Sequence, residues 1–364
     1  MKRFLSVVIL LSLLLGLASC ASGSDSTGSA ADEDSAAEAE SEEDETVSYT
    51  VQVFAMDTYI DLTGYGSAAE AAVEEIAARI EELDALLSVT NEDSEVYALN
   101  HAGGEALTVS EITAELIAFT QTLSELTDGA LDITVYPLML SWGFTTGEYQ
   151  IPSDEVISSL LPYVDESRIT VDGTTVTVPA EMQLDLGAVV KGYACDLAGS
   201  ILEEYGVEHA LLNFGGSTIN LTGTKVDGSS WRVAIQDPED DSAYAGILEV
   251  TDCIIDTSGG YERYFTDDDG NVYWHIIDPD TGYPADSGLI SVTIISEEGI
   301  TGDALSTACF VMGLEMTIDY WRSSGDFEFV LITEDHDLYV SEGIADSFTP
   351  TGDYADASLT VVQK

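Results

Sequence analysis

The chain has 364 residues, with 10 Lys plus Arg against 68 Asp plus Glu and a formal net charge of −58 at pH 7. So few cations cannot form a basic face, which excludes nucleic acid as a partner. The same acidity opposes electrostatic binding to anionic lipid and gives a solvated, self-repelling exterior.

Lys2 and Arg3 precede an almost unbroken apolar run, Phe4 to Leu17, followed by Ala18-Ser19-Cys20. The run is too short to span a bilayer and reads as a secretory signal. Small residues ending in a cysteine resemble a bacterial lipobox. Residues 1–19 are therefore expected to be a lipoprotein signal peptide, with Cys20 as the lipidated first residue of the mature chain. An ordinary signal peptide with an incidental cysteine is the other reading. Acyl chains contribute about 0.8 kcal/mol per buried CH₂. Membrane association would then rest on the lipid, at the cell membrane on the extracytoplasmic side. Residues 21–46 are Ser, Ala, Gly, Thr, Asp and Glu with no aromatic residue, and 20–47 are expected to be a lipidated Cys with a disordered acidic tether. Residues 48–345 form the globular body and 346–364 a tail.

Tyr49 to Phe54 alternates as a strand, is broken at Met56-Asp57-Thr58 and resumes over Tyr59 to Thr63. Ser67 with Glu70 reads as a capping box. Ala72, Val73, Ile76, Ile80, Leu83 and Leu87 then recur at helical spacing, predicting a helix that ends near Ser88. A second helix runs from Ser110, with Ile112, Leu116, Phe119, Leu123 and Leu126 on one face, and stops at Asp128-Gly129. A third covers Gly192 to Tyr205, with Tyr193, Leu197 and Ile201 inward. Short β segments follow at 210–214, 219–223, 231–235, 247–250, 273–277 and 289–295. A helix pair is predicted over 302–312 and 315–321, then strands at 329–333 and 338–340. Helices and strands mix without regular βαβ alternation, which favours an α+β fold.

Of four cysteines, Cys195, Cys253 and Cys309 remain once Cys20 is acylated. An odd number argues against a disulfide framework, and their apolar contexts suit buried, inert thiols. No CxxC and no Cys/His cluster supports structural zinc.

Three segments can carry chemistry. In Gly302-Asp303-Ala304-Leu305-Ser306-Thr307-Ala308, Asp303 and Thr307 are one helical turn apart, so both oxygens share a face. Such a pair suits a hard cation such as Mg²⁺; taken alone, Asp303 equally suits a helix N-terminus. In Leu184-Asp185-Leu186-Gly187-Ala188-Val189-Val190-Lys191-Gly192, a strand carrying a carboxylate enters a Gly-bounded turn and a helix, where backbone amides can approach a phosphate. Lys191 stands out because cations are rare, although a Lys paired with a surface carboxylate fits the same position. His275, one of four histidines, ends a strand before the turn Asp278-Pro279-Asp280-Thr281-Gly282. It has the intrinsic pKa range of a base and also suits a structural role. Two glycine-bearing turns, Asn213-Phe214-Gly215-Gly216 and Asp256-Thr257-Ser258-Gly259-Gly260, match neither a dinucleotide fingerprint nor a Walker loop.

The order of these motifs carries more than any one of them. Met56-Asp57-Thr58, Asp93-Ser94 to Asn100, Thr127-Asp128-Gly129-Ala130-Leu131-Asp132, Asp185 to Ala194, Asn213 to Gly216, His275 to Pro279 and Asp303 to Ala308 together resemble the ApbE family, the FAD:protein FMN transferases. The resemblance implies a T-fold-like (ApbE-like) α+β core with a smaller added α/β lobe and FAD in a cleft between lobes. It implies Mg²⁺-dependent transfer of FMN from FAD to a Thr or Ser hydroxyl of an acceptor protein, with release of AMP. Carried over residue by residue, Asp303, Thr307 and the Ala188 carbonyl match metal ligands, with Ser306 near the metal. Met56, Ala130, Leu131, Asp132, Asp185, Lys191 and Ile277 match flavin-nucleotide contacts. His275 matches the group expected to activate the acceptor hydroxyl. One departure is Thr90, where a Tyr packing on FAD is expected.

The chain carries no segment of the Asp-x-x-Thr-Gly-Ala-Thr kind, so acceptors are expected to be other proteins, surface or membrane redox proteins that hold covalent FMN. Rival readings of the same site are a metal-dependent FAD pyrophosphatase and a non-catalytic flavin-binding lipoprotein. A lipoprotein for an unrelated solute would fit the N-terminus but not the motif set.

Overall fold

The computed structural model describes residues 47–364. Cys20, the signal peptide and the tether up to residue 46 lie outside the described residues. The chain opens with β1 (Ser48–Ala55) and β2 (Thr58–Tyr65), a hairpin whose register pairs Ala55 with Thr58. Then come α1 (Ala69–Leu87), α2 (Glu95–His101), β3 (Leu107–Thr108), α3 (Glu111–Leu126), α4 (Tyr136–Trp142) and α5 (Asp154–Leu160). β4 (Thr170–Asp172) and β5 (Thr175–Thr177) precede α6 (Val190–Tyr205). The strands β6 (Ala210–Phe214), β7 (Thr218–Thr222), β8 (Trp231–Asp237), β9 (Asp240–Val250), β10 (Cys253–Gly259), β11 (Tyr264–Thr266), β12 (Val272–Trp274) and β13 (Leu289–Ser296) follow. The chain closes with α7 (Gly299–Ser324), β14 (Glu328–Thr333), β15 (Leu338–Ser341), β16 (Phe348–Pro350) and β17 (Leu359–Val362). The segment set apart as a tail thus supplies two strands.

One sheet of nine strands, ordered β1-β2-β6-β7-β10-β13-β14-β15-β17, organises the body; all its pairs are antiparallel except β15 with β17. Its middle strands are buried on both faces. Ile254, Ile294 and Leu331 join the core under the helices, while their neighbours Ile255, Ile295 and Ile332 join a second core under the sheet β16-β9-β8. Side chains alternate faces along a strand, so burial on both sides requires an apolar run such as Phe329–Ile332. A third cluster, Leu138, Trp142, Phe144, Ile157 and Ile277, forms a satellite lobe.

The periodicity of α1 is borne out: Ala72, Val73, Ile76, Ile80, Leu83 and Leu87 are all buried. The Ser67–Glu70 capping box is not. Ala68 occupies the cap with helical φ/ψ and no side chain caps the helix; the Gly66 carbonyl accepts from the Ala69 amide instead. The face of α6 is also corrected. Gly192, Cys195, Ala198, Ile201 and Leu202 are buried, while Tyr193 and Leu197 are half-buried. The predicted helix pair is α7 interrupted at Gly313, whose φ of 77° only glycine adopts easily. Asp256 to Gly259, expected in a turn, belong to β10 and pair with β7 and β13.

α6 and α7 meet through glycine. A Cβ on Gly192 would lie 2.1 Å from the Gly299 carbonyl oxygen, and one on Gly299 would lie 2.4 Å from that of Gly192. This approach lets the Gly192 amide donate to Asp303 Oδ2 at 2.9 Å. Gly192→Ala is therefore expected to lower stability by about 1–3 kcal/mol through overpacking and to displace Asp303. Denaturant unfolding checks the first; an unchanged midpoint would show that the helices are free to separate.

Candidate active site

A cavity of about 560 Å³ opens where the β1–β2 turn, the end of α1, the stretch before α4, the start of α6, β10, the residues after β12 and α7 converge. It is lined by Met56, Ala130, Leu131, Asp132, Asp185, Ala188, Lys191, His275, Ile277, Asp303 and Thr307. Every sequence-predicted site residue except Ser306 and the undescribed Cys20 is in that set.

The β1–β2 turn sets the first wall. Met56 and Asp57 both have left-handed φ, 52° and 60°, the backbone of a tight two-residue hairpin turn. The Met56 amide donates to Asp84 Oδ1 at 2.9 Å. Gly215 closes against this turn: at φ +69°, its Cβ would lie 2.2 Å from Thr58 Oγ1.

The second wall is built around Asp132. Its Oδ1 accepts from the Thr134 amide at 2.7 Å and its Oδ2 from the Glu166 amide at 3.1 Å. Asp132 therefore spends its oxygens on holding the wall. Below it, Glu166 is buried and neither carboxyl oxygen has a hydrogen-bond partner.

The third wall carries Asp185 to Lys191. Asn100 grips the strand-like segment before it, donating to the Leu184 carbonyl at 2.8 Å and accepting from the Leu184 amide at 2.7 Å. Asp185 Oδ1 accepts from the Gly187 amide at 2.7 Å. Lys191, in the first turn of α6, donates to Ser217 Oγ.

Asp303 lies beside this wall in α7. Burial pushes its carboxyl up, opposed by the charge of Lys191 and by the amides of Gly192 and Lys191. Thr307 follows one turn on, with Oγ1 3.3 Å from Ser258 Oγ. Ser306, expected near a metal, lies behind the wall. Its Oγ donates to the Asp303 carbonyl at 2.8 Å and sits 2.7 Å from Ser258 Oγ.

His275 follows β12 directly. Its amide donates to the Arg263 carbonyl at 3.0 Å and its Nδ1 is 3.3 Å from the same oxygen. A carbonyl only accepts, so Nδ1 carries the proton and Nε2 keeps a free lone pair. Burial, then the charges of Arg263 and Lys191, hold the imidazole down to about 4, leaving it neutral at ordinary pH.

Residues 56–331 match the profile described as the ApbE family. The chain belongs to the ApbE family. It is similar to the FAD:protein FMN transferase of Klebsiella pneumoniae (strain 342), at 31% identity over 308 residues, which spans 83% of this chain and 94% of that protein. It also superposes on the ApbE protein of Thermotoga maritima with a TM-score of 0.77 at 32% identity, over 83% of this chain and 99% of the other. The flavin transferase ApbE of Vibrio cholerae gives 0.74 at 30% identity, again over 83% and 99%.

The donors present fit a divalent cation of the hard kind. Asp303 offers a carboxylate, Thr307 a hydroxyl and Ala188 a carbonyl at the same cavity. Asp256, which sequence reasoning read as part of a turn, is fully buried behind Asp303, and neither of its oxygens has a hydrogen-bond partner. Burial first, then the neighbouring Asp303, push its carboxyl well up. Two buried carboxyls facing one lysine leave a deficit of positive charge that a bound cation would meet. Sequence reasoning also missed Asp57, Asp84, Glu262, Arg263 and Ser217, all in the lining. The rarity of cations, which singled out Lys191, would equally have found Arg263. Cys195, Cys253 and Cys309 are free; burial pushes Cys253 and Cys309 up to about 12, so they are inert thiols.

Burial and the charge of Asp132 push Glu166 up to about 8. The folded chain thus keeps a proton that the unfolded chain loses near the ordinary 4.5, and this group's contribution to stability declines as pH rises through that window. Glu166→Gln should gain on wild type between pH 5 and pH 8 in thermal unfolding. A Tm difference that stays constant with pH would rule out the buried acid.

Proposed function

We propose that this chain transfers FMN from FAD to a Thr or Ser hydroxyl of an acceptor protein and releases AMP, with Mg²⁺ as cofactor. The observation that carries the reading is the neutral His275, with its free Nε2, in one cavity with Asp303 and Thr307. The names of the relatives support the flavin transfer itself.

The acceptor oxygen attacks the phosphorus on the FMN side of the pyrophosphate, and the bond to the AMP phosphate breaks with its electron pair leaving on AMP. His275 Nε2 takes the hydroxyl proton. Asp303, Thr307 and the Ala188 carbonyl would hold Mg²⁺, with Ser306 supporting Asp303 from behind, and the ion would neutralise pyrophosphate charge. Lys191 contributes a fixed positive charge beside Asp303. Met56, Leu131 and Ile277 supply apolar walls, Ala130 and Asp132 the rim between them, and Asp185 a carboxylate able to accept from ribityl or ribose hydroxyls. Thr90 also lines the cavity, and Phe144 is the one carbocyclic ring among the lining residues. Stacking on the isoalloxazine or adenine must therefore come from that side. We further propose that Cys20 is lipidated, that the enzyme is anchored on the extracytoplasmic side of the cell membrane, and that its acceptors are surface or membrane redox proteins.

The test incubates the protein with FAD, Mg²⁺ and a protein bearing an Asp-x-x-Thr-Gly-Ala-Thr segment. Covalent flavin fluorescence on the acceptor, lost with EDTA, is expected, with AMP released in step. AMP and free FMN without labelled acceptor would instead identify a pyrophosphatase. Intact bound FAD would identify a flavin-binding lipoprotein. Asp303→Ala should lose far more than tenfold in rate, a loss beyond about 1.4 kcal/mol; activity within tenfold counts against it as the main ligand.

The pH profile gives a second check. A histidine held near 4 stays an active base well below its ordinary 6.5. kcat/KM for transfer should therefore show no acid limb at 6.5 but one at lower pH. A limb at 6.5 would remove His275, in this setting, from the role of base.

A further inference from the structure

The lining of the cavity is electrically lopsided. It contains the carboxyl groups of Asp57, Asp84, Asp132, Asp185, Glu262 and Asp303, with only Lys191 and Arg263 as cations. A pyrophosphate entering this space meets repulsion on most sides. A metal held at Asp303 relieves it on one side only, and Lys191 stands on that same side, next to Asp303 and tied to Ser217. Arg263, paired with Asp57, is the second cation of the lining.

Arg263 is placed to act there. Its backbone carbonyl holds His275 through both the amide and Nδ1, so the guanidinium and the base ride on one short segment. Its charge reaches both His275 and Asp185. Its one ion pair, Nη2 to Asp57 Oδ2, is long at 3.8 Å, and the Asp57 side chain is 82% exposed. Exposed pairs of this geometry are weak. A guanidinium held so loosely is free to exchange a carboxylate for a phosphate, which it meets with two parallel donors.

We propose that Arg263 is a further catalytic residue, leaving Asp57 to contact the non-bridging oxygens of the transferred FMN phosphate. The inference rests on the transferase reading above. The new bond joins the acceptor oxygen to the FMN phosphorus, the broken one links that phosphorus to the AMP phosphate oxygen, and the proton goes to His275. Arg263 exchanges no proton; its charge offsets the negative charge that builds on the equatorial oxygens. Asp57 serves as its resting partner and competes with FAD for it.

The experiment uses the full chain with FAD, Mg²⁺ and the acceptor, reading acceptor labelling and AMP release separately. The wild-type arm tests the transferase reading; the variants, each relative to wild type in AMP release, test Arg263 alone. Arg263→Ala should lower kcat by roughly 100-fold or more, as loss of a charged donor to a transition state does, with a much smaller change in KM for FAD. Arg263→Lys should recover part of kcat. Asp57→Asn, an amide that tolerates the left-handed φ of 60°, should lower KM for FAD by removing the competitor. Arg263→Ala with kcat within threefold of wild type, or a rise confined to KM, would overturn the catalytic role. A raised KM in Asp57→Asn would overturn the exchange.

Discussion

The contact between Gly192 and Gly299 is the constraint on which the site depends. Two helices approach until a single methyl group would collide with backbone. At that distance the first turn of α6 and the second turn of α7 share one hydrogen bond, Gly192 amide to Asp303. The same approach seats Asp196 of α6 over the start of α7, where its carboxylate accepts from the Gly299 and Ile300 amides at 2.6 and 2.9 Å. A carboxylate on the positive end of a helix is favourable, and here it comes from the neighbour, not from the helix's own cap. Lys191 and Asp303 are 112 positions apart in the chain and adjacent in space because of this packing.

From that placement follows the electrostatic character of the cavity. In a protein with a net charge of −58, the cavity too has a carboxylate-rich lining. Burial then does opposite things to the groups around it. It raises the carboxyls of Asp303, Asp256 and Asp185 and lowers His275, in each case disfavouring the charged form. The result is a space that holds a neutral imidazole among carboxyls whose charged form is disfavoured. Lys191 sits in the first turn of α6 and Arg263 just before β11, so the positive charge is divided between the helix beside Asp303 and the segment that carries His275.

Much of this was legible in the sequence, and the rest was hidden for identifiable reasons. The buried stripe of α1 follows helical periodicity because a surface helix needs only one apolar face. The motif residues Met56, Asp185, Lys191, His275 and Asp303 could be collected because their order is shared with a family. β10 escaped because its polar run, Asp256-Thr257-Ser258, looks like a turn; in the fold those side chains face a helix, the site and a neighbouring strand. The buried face of α6 was misplaced because Gly192 and Ala198 carry no hydrophobic signal, yet small residues are what a close helix contact demands. Ser306 neighbours Asp303 in the fold as in the sequence, donating to the Asp303 carbonyl from outside the cavity lining. Arg263 belongs to no motif that periodicity reveals, and only its rarity marks it.

The β1–β2 turn completes the argument, because its residues run against local preference. A two-residue turn of this hand favours Asn-Gly, yet Met56 and Asp57 occupy it with positive φ. Each costs about 1–2 kcal/mol relative to a right-handed conformation. Such strain persists only where the surroundings over-determine it. Here the hairpin is fixed by register along its whole length, from Ser48 opposite Tyr65 to Ala55 opposite Thr58. Asp84 takes the Met56 amide, and Gly215 presses on Thr58. With Asn-Gly in its place the turn would relax, but the cavity would lose the thioether from its wall and the carboxylate that faces Arg263. The fold therefore sustains a strained turn at the point where two side chains must enter the site from a strand end, and its rigid neighbours leave the exposed Asp57 side chain as the part of that wall free to change partner.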